Sequence, residues 1–280
     1  MKLPLKENDL REIESLLRKA GEAVMNVYES SNYGETMKLD FSPVTRADHV
    51  SSRIINEGLA RLFPGIPVVD EENPIPLYSE RKFWKEYFLL DPLDGTKEFI
   101  KKNDEFCINL ALMRCDQPVA SWIFKPVGAV GWTCVKGNGL LEFGSNHPIK
   151  PEETLNRDEL VLITSRSQTS RRGSRFMKLI ASRYSLQVIR MGSALKQVEI
   201  ALGKADLYVR GSGCSEWDTA AGQLMVTESG GSVLQWDMKN PLSYNKITLT
   251  NPPFLMMSKK LQTSEIHDFI GSMLSDTRRY

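Results

Sequence analysis

The stretch Asp91-Pro92-Leu93-Asp94-Gly95-Thr96 decides how this chain is read. It follows the apolar run Tyr87-Phe88-Leu89-Leu90, which predicts a buried strand, and precedes Lys97-Glu98-Phe99-Ile100, which predicts a short helical turn. Pro92 fixes φ and cannot donate to a ladder, so the strand is expected to end there. Gly95 lets the backbone come close to whatever sits in the corner. Asp91 and Asp94 can then aim at one point, which suits a hard cation bound by oxygen. Asp, Pro and Gly are also ordinary turn residues, and on the hexapeptide alone a tight turn accounts for them equally well.

Length and composition narrow the classes. The 280 residues make one large domain or two modest ones. Hydrophobic residues at 41% and charged residues at 25% are ordinary for a globular protein. A formal net charge of +1 gives no basic field for nucleic acid and no acidic excess for disorder. The start, Met1 to Glu7, lacks a long apolar segment, and no apolar run is long enough to span a bilayer. The four cysteines, Cys107, Cys115, Cys134 and Cys214, include no C-x-x-C pair, so the expected setting is a reduced cytoplasm, without a zinc or redox motif.

Outward from the corner, Leu10, Ile13, Leu17, Ala20, Val24 and Val27 form one apolar stripe and predict a helix over 9–29, with Asp9 and Glu12 at capping-box spacing. A second helix is expected over 47–62, stopped by Pro64-Gly65. Strands are predicted at 66–70, 106–113, 119–124, 129–135 and 140–143, with a loop over 73–85. Turn signals between the later strands read as an antiparallel meander. The first half is therefore an α+β unit, residues 1–150, carrying the acidic residues. The polar segment 144–158 is the expected boundary. Beyond it, strands at 160–164, 186–191, 205–209, 232–235 and 254–257 alternate with helices at 170–183, 193–202 and 217–228, and a last helix begins near 264. Residues 151–280 thus read as an α/β unit for substrate.

Carboxylates fall at special points of this pattern. Glu71 and Glu72 end a strand, Asp91 and Asp94 flank the corner, Asp218 is expected in the first turn of a helix, and Asp48 lies in the first turn of the second helix. Each has an ordinary explanation. Asp48 sits three after Thr45 and caps a helix by that spacing. Asp218 complements a helix dipole, Glu71-Glu72 is a solvated pair, Thr96 is an N-terminal hydroxyl, and Lys38 is a solvated lysine. Together they imply more, because converging carboxylates repel one another unless something positive lies between them. Mg²⁺ shared with a phosphate is the expected guest, with Gly95 and Thr96 opening a helix toward that phosphate. Three histidines in unrelated contexts disfavour a zinc hydrolase.

On Glu71-Glu72, DPLDGT (91–96) and WDTAAG (217–222), in this order and spacing, the chain resembles the inositol monophosphatase superfamily of Mg²⁺-dependent, lithium-sensitive phosphomonoesterases. Within it the likeness is closest to the 3'(2'),5'-bisphosphate nucleotidases of the CysQ type. The marks are SPVTRAD (42–48), the continuation to DPLDGTKEFI (91–100), TSRS (164–167), GSALK (192–196), EWDTAAG (216–222), and the closing PLSYNK and NPPF. The resemblance implies a layered αβαβα sandwich and two or three Mg²⁺ ions held by Glu71, Asp91, the Leu93 carbonyl, Asp94 and Asp218. It implies that Glu72 positions water, that Thr96 with Asp48 activates it, and that Lys38 lies on the phosphate side. It places Ser165, Gln168, Gly192 and Lys196 at the nucleotide. The implied reaction is hydrolysis of 3'-phosphoadenosine 5'-phosphate in sulfur assimilation, with an inositol or small sugar phosphatase as the alternative. A non-catalytic phosphate sensor is the rival from another class, and the intact acidic set argues against it. Two departures stand out: Gln168 replaces a common histidine, and Cys214-Ser215 replaces a common Pro-Thr.

Overall fold

The computed structural model describes residues 5–30, 34–37, 43–152, 159–166, 170–262 and 265–276. In chain order, α1 (Glu7–Glu29), β1 (Thr36–Met37), β2 (Pro43–Val44) and α2 (Arg46–Leu62) precede β3 (Val68–Asp70), α3 (Tyr78–Arg81), β4 (Glu86–Asp94) and α4 (Thr96–Ile100). Four more strands follow: β5 (Cys107–Arg114), β6 (Gln117–Lys125), β7 (Val130–Val135) and β8 (Gly139–Glu142). Then come β9 (Glu159–Ser165), α5 (Arg171–Ala181), β10 (Ser185–Met191), α6 (Leu195–Ala201), β11 (Leu207–Arg210) and β12 (Cys214–Ser215). The last elements are α7 (Ala220–Glu228), β13 (Ser232–Gln235), β14 (Thr250–Asn251), β15 (Phe254–Met257), a 3₁₀ turn at Lys259–Leu261 and α8 (Glu265–Asp276).

One sheet runs β3-β4-β5-β6-β7-β8, parallel only between β3 and β4. A second runs β10-β9-β11-β15-β13. Side chains of β4 alternate between the faces of the first sheet, as a strand must. Phe88 and Leu90 meet Ile13, Leu17 and Ala20 of α1 and Ile55 and Leu59 of α2. Tyr87 and Leu89 face the opposite way, into a cluster with Leu195 and Val198 of α6, Leu224 and Met225 of α7, and Val161, Ile163 and Met256 of the second sheet. Beyond the second sheet, Leu162, Leu207 and Leu255 pack on Phe176 and Ile180 of α5 and Ile270 of α8. The layers are therefore α-β-α-β-α, as the resemblance implies. With both faces covered, β4 has to be apolar on both sides, which is why it reads as a continuous hydrophobic run.

Several local expectations are corrected. β4 does not end at Pro92 but continues to Asp94 through a register irregularity. The segment 73–85 contains the helical turn α3. The first helix begins at Glu7, where the Lys6 N–H donates to Asp9 Oδ2 at 2.6 Å, so the capping pair is Lys6–Asp9 rather than Asp9–Glu12. The helix near Asp218 starts at Ala220, which leaves Asp218 outside its first turn.

Candidate active site

The irregularity in β4 builds the acidic corner. Asp91 pairs with Asn109 and Asp94 with Cys107, so three steps along β4 match two along β5 and one residue bulges. Pro92 sits in the bulge, where the ladder does not need its missing N–H. Ser51 Oγ donates to the Pro92 carbonyl at 2.8 Å and ties the bulge to α2. Asp91 Oδ1 accepts the Leu93 N–H at 3.0 Å, and Asp94 Oδ2 accepts the Asn109 amide at 3.1 Å and the Ala194 N–H. Gly95 follows with φ 94°, and a Cβ there would lie 2.9 Å from the Glu105 carbonyl, so only glycine fits.

Glu71 arrives from the neighbouring strand end, where its N–H donates to Leu90 O at 3.2 Å. Its turn is fastened by the buried Asp70. Asp70 Oδ2 accepts from Ser52 Oγ at 2.5 Å and from the Asn56 and Asn73 amides at 2.6 Å each, while Oδ1 accepts the Glu72 N–H at 2.9 Å. Asp218 comes from the 214–219 turn, with Oδ2 accepting the Ser215 N–H at 3.0 Å and its carbonyl accepting Gln197 Nε2 at 2.6 Å. One carboxylate oxygen from each of Glu71, Asp91 and Asp218 lies within 4.8 Å of the other two.

Electrostatics follow from this crowding. Burial, then the charges of Glu71, Asp94 and Asp218, pushes the Asp91 carboxyl well above its ordinary range. Burial also raises Asp94, against the opposing influence of Lys196. Burial, then Asp94 and Glu71, pushes Asp218 up to about 8. The donor set is oxygen only. Burial, then the charge of Asp218, also raises the adjacent Cys214 thiol. These residues fit a hard divalent cation of the Mg²⁺ kind.

Beside the acids, Thr96 Oγ1 donates toward Asp48 Oδ1 at 3.2 Å and Leu93 O at 3.3 Å. Asp48 is buried, and its Oδ2 accepts both the N–H and the hydroxyl of Thr45 at 2.7 Å. Helix capping and contact with Thr96 are thus two oxygens of one carboxylate. Burial raises the Asp48 pKa despite the Thr45 hydrogen bonds.

A cleft of about 430 Å³ collects most of the expected residues: Glu71, Asp91, Leu93, Asp94, Gly95 and Thr96 on one wall, with Ser165, Gly192, Lys196 and Asp218 also lining it. Glu72, half-buried, does not line it, and Asp48 lies beneath Thr96. Lys38 and Gln168 lie outside the described residues. Lys196 is buried, donates to the Ser193 carbonyl and sits 5.5 Å from the Tyr208 ring centre. Sequence reasoning missed Arg210, which lines the same cleft and donates to Ser165 Oγ at 3.4 Å. It also missed Asn109 and Asp70. The signal for Asn109 was available, as a lone amide inside the apolar run Cys107 to Met113. Arg210 likewise ends a strand before a glycine-rich turn.

Fold and site together define a member of the inositol monophosphatase family: the family's model matches residues 6–271, and the chain belongs to it. Among curated relatives, the 3'(2'),5'-bisphosphate nucleotidase CysQ of Salmonella typhimurium is 39% identical over 88% of this chain and 98% of its own length. The protein of the same name in Haemophilus influenzae is 33% identical over 91% of this chain and 94% of its own length. Among solved structures, CysQ from Bacteroides thetaiotaomicron superposes with a TM-score of 0.79 at 31% identity, covering 92% of this chain and 99% of that one. The Thermotoga maritima IMPase shares the fold at a TM-score of 0.76 and 23% identity, covering 95% of this chain and 96% of that one.

The raised Asp218 pKa sets a pH dependence. Folded protein keeps a proton that the unfolded chain has lost, so the metal-free protein loses stability as pH rises from about 4 to about 8. A cation at the cluster competes with that proton. The melting temperature without metal is therefore expected to fall between about pH 5 and about pH 8, and saturating Mg²⁺ to raise it more at the higher pH. Calorimetry at both pH values checks this; an Mg²⁺ shift that is absent, or larger at acid pH, contradicts it.

Proposed function

We propose that this chain is a Mg²⁺-dependent 3'(2'),5'-bisphosphate nucleotidase that hydrolyses 3'-phosphoadenosine 5'-phosphate to AMP and phosphate. The observation that carries this is one cleft lined by both acids and cations. The cluster Glu71, Asp91 and Asp218 suits a cation that meets the reacting phosphate, and Lys196 and Arg210, whose charges also act on Asp94 and Asp218, are assigned to a second anionic group. A monophosphate such as inositol 1-phosphate has no second group to use them. The likeness to the CysQ proteins supports the same substrate.

Glu71, Asp91, Asp94, the Leu93 carbonyl and Asp218 are assigned to hold two or three Mg²⁺ ions, whereas the water-orienting role of Glu72, which does not line the cleft, is assigned from sequence alone. Bound there, Mg²⁺ supplies charge neutralisation for the phosphate and a lowered pKa for the attacking water. The chain contributes position and a proton path. The Thr96 hydroxyl, donating to Asp48, keeps lone pairs to accept from the water, and the raised pKa of Asp48 suits it to take the proton onward. Gly95 and Thr96, which line the cleft, are assigned to meet the phosphate. Ser165, Gly192, Lys196 and Arg210 take the nucleotide side, and Gln168 is assigned there from sequence alone. Water is the nucleophile, so no phosphoenzyme forms. The four thiols, all free, suit a cytoplasmic setting.

Phosphate release from 3'-phosphoadenosine 5'-phosphate and from inositol 1-phosphate, with and without Mg²⁺, tests the substrate. The nucleotide is expected to lead by at least about a hundredfold in kcat/KM and to need Mg²⁺; equal rates on both would favour the sugar phosphatase. Thr96→Val is expected to lower kcat by about 10²–10⁴ while the protein stays folded by circular dichroism. Near-full kcat in that variant would remove Thr96 from the proton path.

A further inference from the structure

The segment Pro241 to Lys246 and the Asn251 that opens NPPF have no part in the site as described so far, yet they converge on the turn that carries Asp218. Glu216, two residues before Asp218, has a fully buried side chain, and Lys246 Nζ lies 2.6 Å from its Oε1. The same carboxylate accepts two successive backbone N–H groups, from Asn245 at 2.7 Å and Lys246 at 3.1 Å. Asn245 holds φ 59°, the left-handed conformation that aims both N–H groups at one anion. The nest is therefore filled by the protein's own glutamate.

The ammonium of Lys246 does more than neutralise Glu216. It also donates to Ser243 O at 2.5 Å and to Asn251 Oδ1 at 3.0 Å. Fixing that oxygen fixes which way the buried Asn251 amide faces. Its Nδ2 then donates to Thr219 Oγ1 at 2.6 Å and to Ser215 O at 3.3 Å, and Asn251 pairs with Cys214 across the β12–β14 ladder. The Ser215 N–H donates to Asp218 Oδ2. Hydrogen bonds thus link the Lys246 ammonium through the Asn251 amide to the Ser215 backbone, and the N–H of that same residue holds Asp218. A second arm reaches the segment that follows Glu71. The guanidinium of Arg81, 2% exposed, donates to Asn245 Oδ1 at 2.8 Å, Ile247 O at 2.9 Å and Pro76 O at 3.1 Å, and the Asn245 amide donates back to Arg81 O at 2.7 Å.

We propose that Lys246 is a positioning residue for the cation site: through Glu216 and Asn251 it sets where Asp218 stands, while the adjoining Asn245, with Arg81, ties that side to the segment after Glu71. This rests on the reading of Glu71, Asp91 and Asp218 as a Mg²⁺ site. Lys246 does not line the cleft, so its loss acts on the cation rather than on the nucleotide. Groups that orient metal ligands from outside the coordination sphere typically change metal affinity by about 10- to 100-fold when removed.

The test is calorimetric titration of metal-free protein with Mg²⁺ alone, beside kcat and KM at saturating Mg²⁺. Lys246→Met is expected to weaken Mg²⁺ binding by about tenfold or more, with KM for the nucleotide within about twofold of wild type, and Lys246→Arg to restore part of the loss. If Lys246→Met does not fold, Lys246→Gln, which keeps a donor but no charge, goes through the same titration with weakened Mg²⁺ binding expected. A variant that melts earlier yet binds Mg²⁺ like wild type has lost only stability, and that result overturns the proposal. Wild-type protein that takes up no Mg²⁺ overturns the metal reading itself, a separate outcome seen before any variant is made.

Discussion

Carboxylates converging in a poorly solvated place repel, and every structural feature around this cleft answers to that repulsion. Taking an ion out of water costs several kcal/mol even after relaxation, and like charges add to that cost. Asp91 and Asp218 show it in their raised pKa values. Left to side-chain flexibility, such groups would turn apart. Each is held by a separate device: Asp91 and Asp94 by the β4 bulge, Glu71 by the turn pinned on Asp70, and Asp218 by the turn that Glu216, Asn251 and Lys246 support. Repulsion held in place by a scaffold is relieved when a cation lies among the carboxylates.

The layers explain how three distant segments reach one point. β3 and β4 are parallel neighbours in register at Asp70 and Leu90, so the next residues, Glu71 and Asp91, lie at the same end. α6 and α7 lie between the two sheets and carry the 214–219 turn and the Gly192–Lys196 segment to that end. The two helices pack so closely that a Cβ on Gly222 would lie 2.0 Å from Gln197 Oε1, and that same Gln197 holds the Asp218 carbonyl. The cleft therefore has residues from both halves of the chain, acids chiefly from the first and cations from the second.

Much of this was legible in the sequence, for definite reasons. The stripe from Leu10 to Val27 has the period of a helix, and the apolar run Tyr87 to Leu90, short and followed by Pro92, reads as a buried strand. Asp48 at three after Thr45 gave the capping box, and the acids of the corner were visible as strand-end carboxylates. The continuation of β4 past Pro92 was not visible, because the bulge exists only in register with β5 and is paid for by Ser51 and Asn109, which lie far away in sequence. The late start of α7 escaped because Asp218 looks like an N-terminal helix acid, whereas the Ser215 N–H takes its carboxylate instead. Asp70 escaped because its partners Ser52 and Asn56 sit on another element.

The central claim, that Glu71, Asp91 and Asp218 form a cation site, is tested most directly by crystals grown with Mn²⁺ in place of Mg²⁺ and measured for anomalous scattering. The account predicts a peak among these three carboxylates, lost in an Asp91→Asn variant. Full-strength anomalous density elsewhere, with none between Glu71, Asp91 and Asp218, would contradict it.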